Sequence, residues 1–226
     1  MNEHVKNLQA KEWIERITKL VNPAKVIMID GSDEQKAKLT REAVEAGELH
    51  ELNQEKLPGC YLRRSDPSDV ARVENRTFIC TDEKSEAGPT NNWAYAPDMY
   101  KKMDELFKDS MVGKTMYIIP YMMGPYGSPF SKIGFEITDS RYVVLSMLIM
   151  ARCGSKVLEE LGENDDFIKG LHSVGTMDPE ERYICHFPDD KAIFSYNSEY
   201  GGNVLQGKKC FSLRIASAIA RDEMWL

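Results

Sequence analysis

Hydrophobic positions recur along this chain in two rhythms, one helical and one extended. Residues 3–20 carry Val5, Leu8, Ile14, Ile17 and Leu20 at mostly helical spacing, and Asn22-Pro23 ends the run. The stretch KVIMID (25–30) has strand character, and Ser32 with Gln35 forms a candidate capping box for a second helix that Gly47 can terminate. A strand followed by a helix is the usual opening of an α/β domain. RTFIC (76–80) predicts another strand. Residues 82–92 read as loop, because Gly88-Pro89 and Asn91-Asn92 break any period, and Pro97 suits the first turn of a helix reaching Lys108.

The second half is richer in extended runs. Residues 115–122 and 132–138 predict two strands on either side of a glycine- and proline-rich connection, MGPYGSPFSK (123–132). The apolar block YVVLSMLIMARCG (142–154) fits a buried helix or a strand by periodicity; its length, the cap candidates Asp139-Ser140 and the closing Gly154 favour a helix. RYICHF (182–187) and KAIFSY (191–196) predict a hairpin around Pro188-Asp189-Asp190. Phe211, Leu213, Ile215 and Ile219 repeat at helical spacing. The prediction is an α/β fold, a mixed β-sheet flanked by helices, with no linker that marks a domain boundary.

Composition narrows the class. With 226 residues, 42% of them hydrophobic and 29% charged, the chain can bury a substantial core and reads as an ordinary soluble globular protein. A net charge of −7 argues against a nucleic-acid-binding surface. Cys60, Cys80, Cys153, Cys185 and Cys210 are odd in number and form no CxxC pair, which suggests reduced thiols in a cytoplasmic protein. The charged N-terminus lacks an apolar signal segment. The longest apolar run is half the roughly 20 residues a spanning helix needs, so no membrane role is expected.

Candidate chemistry concentrates in YGGNVLQGKKC (200–210). Gly201 and Gly202 let the backbone approach a ligand closely. Lys208 and Lys209 stand at the start of the helical run that follows, where two cations oppose each other and the helix dipole. They are either solvated surface lysines or a functional pair, one of them with a depressed pKa that frees its amine to act as a base or metal ligand. Arg72, in DPSDVARVE (66–74), is either a surface arginine or a guanidinium fork for a carboxylate. The 123–132 connection is a rigid turn or a pocket wall in which Ser128 and Lys132 meet an anion. His172 and His186 share no metal-ligand spacing and are expected to be core or surface histidines. Phosphate-loop, GxGxxG and GxSxG motifs are all missing.

Taken together, DVARVE, TMYIIPYMMGPYGSPFSKIGFEITDSRYVV, FIKGLHSVG and YGGNVLQGKKCFSLRIAS resemble the GTP-dependent phosphoenolpyruvate carboxykinases, with the motifs in the family's order. The resemblance implies residues 1–226 as the N-terminal domain of that fold, with the C-terminal nucleotide-binding domain absent. It implies interconversion of oxaloacetate and phosphoenolpyruvate with GTP as phosphoryl donor and release of carbon dioxide. Mn²⁺ and a second, nucleotide-bound divalent ion would take part. By the same resemblance Arg72 holds the substrate carboxylate, and Tyr200, Gly201 and Gly202 bind the small diacid. Lys209 is the neutral lysine that ligates Mn²⁺, and Lys208 is its companion near the transferred phosphoryl group. GTP and GDP would be reached only through the absent domain, so these residues alone are expected to be inactive, monomeric and cytoplasmic. The alternative is a non-catalytic dicarboxylate-binding or regulatory module that kept the fold.

Overall fold

The computed structural model describes residues 5–69, 74–89 and 92–199. In chain order the elements are α1 (Leu8–Val21), β1 (Lys25–Met28), α2 (Asp33–Glu45), β2 (His50–Glu51), β3 (Tyr61–Leu62), β4 (Thr77–Thr81), β5 (Asn92–Tyr95), α3 (Ala96–Phe107), β6 (Thr115–Met123), β7 (Lys132–Thr138), α4 (Arg141–Met150), β8 (Arg152–Cys153), α5 (Ser155–Leu161), β9 (Phe167–Ser173), β10 (Tyr183–Phe187) and β11 (Ala192–Tyr196). The architecture is α/β, as the periodicities predict.

Local chemistry sets the helix starts. Asn7 accepts the Ala10 amide to cap α1, and Ser32 accepts the Gln35 amide to cap α2. The capping box is modified: the Gln35 side chain reaches past its own cap to the Asp30 amide and the Met28 carbonyl, tying α2 to the end of β1. Ser140 caps α4, so the ambiguous apolar block is a helix. It is shorter than its sequence span, because residues 152–153 leave it to pair with β6 and α5 starts anew at Ser155.

Eight strands run β1-β6-β7-β9-β11-β10-β4-β5 in one mixed sheet, with β8 as a ninth against β6. Pairing is antiparallel at β6–β7, β10–β11 and β6–β8, and parallel at β1–β6, β7–β9, β9–β11, β4–β10 and β4–β5. Pro120 lies inside β6, where a missing N–H would normally break a ladder. It falls where β6 exchanges β1 for β8: β1 ends opposite Ile118, β8 pairs with Tyr121 and Met122, and the Pro120 carbonyl accepts Gly154 N–H.

The two sheet faces differ. One carries Met116, Ile118, Phe135, Ile137, Phe167, Leu171, Phe187 and Phe194, which pack with Trp13, Ile14, Ile17 and Val21 of α1 and Met103 and Phe107 of α3 into the main core. The other begins apolar, with Tyr117, Ile119, Tyr121, Ile168 and Ile193 under Leu39 and Ala43 of α2 and Val143, Val144 and Met147 of α4. It then turns polar. Register aligns Glu136, Gly170, Ile193 and His186 in one row and Thr138, His172 and Ser195 in the next. Gly134 and Gly170 are required there: a Cβ would lie 2.6 Å from the Tyr121 ring at the first and 2.0 Å from a Glu136 carboxylate oxygen at the second.

Several strands depart from the sequence expectation: the short pair β2 and β3 was not predicted, and β8 falls inside the span predicted as helix. β5 lies in and beyond the stretch read as loop, and β9 was not expected, because Gly170 and His172 interrupt its apolar alternation.

Candidate functional site

Arg72, Tyr200, Gly201, Gly202, Lys208 and Lys209 all lie outside the described residues. The structure does describe the chain leading to them, and it brings the two approaches together. Residues 63–69 and 197–199, more than 120 positions apart, are joined by a polar clasp.

Arg182 is its centre. This is the largest fully buried side chain among the described residues. Its Nε donates to the Asn197 carbonyl at 2.7 Å and its Nη1 to the Ser68 carbonyl at 2.6 Å. Asp69 faces it at 3.8 Å, and both side chains are nearly inaccessible. The Ser198 hydroxyl donates to the same Asp69 carboxylate at 3.0 and 3.3 Å. A buried charge is tolerated only when it is paired and hydrogen-bonded, and this pair is both.

A second bridge lies nearer the surface. Glu199 accepts from Arg63 at 3.2 Å and from the Asp66 amide at 3.0 Å. Arg63 also donates to the Glu48 carbonyl and stands over the Tyr142 ring. The Asp66 carboxylate accepts Ser68 N–H at 2.8 Å and closes the turn before Asp69. Hydrogen bonds from Ser68, side chain first and then backbone, hold the Asp66 carboxyl below its ordinary pKa.

The end of β11 is shaped by Asn197, fully buried at φ 61°, a left-handed conformation that Asn accepts better than most residues. Its side-chain oxygen accepts the Thr176 and Met177 amides at 2.7 and 3.1 Å, fixing the 174–177 turn. Beneath lies Asp139, with only 1% of its side chain exposed, which accepts from Lys114, Ser173 Oγ and Val174 N at 2.8–2.9 Å. Thr138 and His172 complete the row: the threonine oxygen lies 2.7 Å from His172 Nδ1, and His172 Nε2 lies 2.6 Å from the Ser198 carbonyl. Burial lowers the His172 pKa, which favours the neutral imidazole.

His172 and His186 are core histidines of the sheet, as expected. Ser128 and Lys132 belong to the β6–β7 connection, remote in register from the clasp: Lys132 pairs with Met123 at the far end of β7 from Thr138. Among the described residues no three His, Cys, Asp or Glu side chains are grouped to hold a metal ion. Asp69, Asp139 and His172 are committed to the partners above, so the described residues by themselves do not fit Mn²⁺. No helix among them is long and apolar enough to cross a membrane.

In the sequence Asp69 reads only as a candidate cap, with Ser68, of the turn that Asp66-Pro67 opens, and Arg182, Asn197 and Ser198 carry no functional signal. Arg182 hides in the charged run EERY, and Asn197-Ser198 looks like an ordinary polar strand end. The available signal was two buried-strand patterns (Tyr183–Phe187 and Ala192–Tyr196) each flanked by a polar residue too close to be solvated.

A mixed α/β domain with two distant segments clasped at one end of its sheet defines the class. The comparisons name the family: the family model described as phosphoenolpyruvate carboxykinase N-terminal domain matches residues 12–221, and the chain belongs to that family. It is 54% identical over 214 residues to the phosphoenolpyruvate carboxykinase [GTP] of Anaeromyxobacter dehalogenans strain 2CP-C, covering 95% of this chain and 36% of that protein. It is 50% identical over 232 residues to the protein of the same name from Corynebacterium jeikeium strain K411, covering 98% of this chain and 38% of the relative. The chain thus spans little more than a third of the length of the curated relatives it matches.

Proposed function

We propose that these residues form the diacid-binding side of a GTP-dependent phosphoenolpyruvate carboxykinase. The clasp carries the proposal. Arg72 follows Asp69 by three residues and Tyr200 follows Ser198 by two, while Ser198 donates directly to Asp69. Three peptide units span at most about 11 Å and two about 7 Å, and that short reach from Asp69 and Ser198 is what supports assigning Arg72 and Tyr200 to one pocket.

In this reading Arg72 grips a carboxylate of oxaloacetate with its planar fork. Tyr200, Gly201 and Gly202 line the other side, the glycines admitting the diacid against the backbone. Loss of carbon dioxide leaves an enolate, and Lys208 puts positive charge near its oxygen and the transferred phosphoryl group, while Lys209 is kept neutral with its amine lone pair free. Phosphoryl transfer to that oxygen is then a matter of positioning and charge neutralisation. Lys209 as a Mn²⁺ ligand needs partners beyond one amine. GTP use, the metal ions and complete turnover are assigned to the longer protein that the relatives represent. On its own the 226-residue chain binds diacid without turning it over.

The test is titration calorimetry with oxalate, a small diacid mimic, on the 226-residue chain and on Arg72→Ala, beside a turnover assay with GTP, Mn²⁺ and oxaloacetate. Binding that Arg72→Ala abolishes, without phosphoenolpyruvate formation, is expected. Equal affinity in the two proteins overturns the role of Arg72, and turnover overturns the division of labour.

A further inference from the structure

We propose that His172 is a positioning residue: its imidazole holds the Ser198 carbonyl and so sets the path of the chain into Tyr200. The functional half of this inference rests on the diacid-binding reading above.

The hydrogen-bond partners assign the tautomer. A carbonyl only accepts, so at 2.6 Å from the Ser198 carbonyl Nε2 must carry the proton. The Ser140 amide donates to Thr138 Oγ1 at 3.0 Å, which leaves the Thr138 hydroxyl proton for Nδ1 at 2.7 Å. Donation therefore runs one way, from Ser140 N–H to Thr138, from Thr138 to Nδ1, and from Nε2–H to the Ser198 carbonyl. The start of that chain is the N-cap of α4, locked under the sheet. Its end is a backbone group two residues before Tyr200.

Ser198 is held twice, by Asp69 at its hydroxyl and by His172 at its carbonyl. Asn197 is held at its amide by the Ser173 carbonyl and at its carbonyl by Arg182. The Asp69 and Arg182 contacts fasten this segment to residues 68–69, whereas the His172 contact fastens it to the sheet. Asn197 N–H on the Ser173 carbonyl and His172 on the Ser198 carbonyl both hold the segment to β9, and the His172 contact is the nearer of the two to Tyr200 in sequence. A diacid bridging Arg72 and Tyr200 needs that segment set to a fraction of an ångström, because misplacement of a positioning group lowers affinity steeply.

The experiment compares the unmodified chain with His172→Phe, which fills the space without a donor, and His172→Gln, whose amide nitrogen restores one. Losing one hydrogen bond speeds local opening about tenfold. Amide exchange in a peptide covering 197–202 is expected to quicken about tenfold in His172→Phe and to recover in His172→Gln, while β6 and β7 peptides hold their rate. Oxalate affinity is expected to fall about tenfold in parallel. Unchanged exchange at 197–202, or equal loosening of the whole sheet, overturns the proposal. Should His172→Phe fail to fold, nitrogen NMR of the unmodified chain decides: Nε2 protonated and Nδ1 bare supports it, and the reverse tautomer sinks it. The Arg72→Ala titration separates the two ideas. If exchange localises as stated while Arg72→Ala binds oxalate normally, the positioning of Ser198 stands and the diacid site does not.

Discussion

Replacing Arg182 by methionine removes the charge at the centre of the clasp and keeps most of the apolar stem. Two charge-assisted hydrogen bonds are lost, to the Ser68 and Asn197 carbonyls at 2.6 and 2.7 Å. Asp69 also keeps a negative charge in a site where its side chain is inaccessible. Breaking one side of a buried pair costs about 3–5 kcal/mol, because the remaining charge is uncompensated. For a chain of this size each kcal/mol lowers Tm by roughly 2–4 °C, so the melting point should fall by roughly 6–20 °C. Calorimetric melting of Arg182→Met, Asp69→Asn and the double variant measures it. Asp69→Asn removes the buried carboxylate charge that would face the methionine, so the double variant should be less destabilised than the sum of the singles by about 1–3 kcal/mol. A drop below about 2 °C in Arg182→Met, or strict additivity, would refute the claim that this pair joins the two segments.

Other outcomes follow from the same geometry. Asn197→Ala leaves the Thr176 and Met177 amides without their acceptor at a left-handed position and should cost about 2–4 kcal/mol in urea unfolding, whereas Asn197→Gly, which tolerates φ 61°, should cost less. Gly134→Ala drives a methyl into the Tyr121 ring and the Ile168 carbonyl and should destabilise by more than about 2 kcal/mol; a neutral effect would mean the sheet relaxes more easily than described. The buried His172 has a pKa below its ordinary 6.5, so below that pH the unfolded chain takes a proton that the folded chain refuses. Stability therefore falls as pH drops from about 6.5 toward the folded pKa, by up to about 1.4 kcal/mol per unit for this group, and the difference between unmodified protein and His172→Gln in urea midpoints isolates it.

The helices were legible because their caps and apolar spacing are local: Ser32, Ser140 and Pro97 stand where the structure uses them. Strands with one apolar run, such as 115–123 and 192–196, were equally plain. β9 was hidden because both its faces are buried against different things. Phe167 and Leu171 meet the main core, while Gly170 gives room to Glu136 and His172 serves Ser198, so no two-residue alternation of polarity survives. The clasp was illegible for a different reason. Ser68, Asp69, Arg182 and Ser198 each look like surface polar residues, and only the sheet order, with β9 and β10 either side of β11 and β4 beyond, makes them neighbours. Local sequence carries no information about pairs that distant. Arg72 and the 200–210 segment were conspicuous by residue type, yet their chemistry depends on partners that spacing does not reveal.

The most direct measurement is a crystal structure of the chain grown with oxalate, at a resolution that places the anion. The account predicts oxalate beside the clasp, with the Arg72 guanidinium on one side and Tyr200 with the Gly201–Gly202 backbone on the other. An anion bound elsewhere, or Arg72 and Tyr200 turned to opposite sides of an intact sheet, would contradict it.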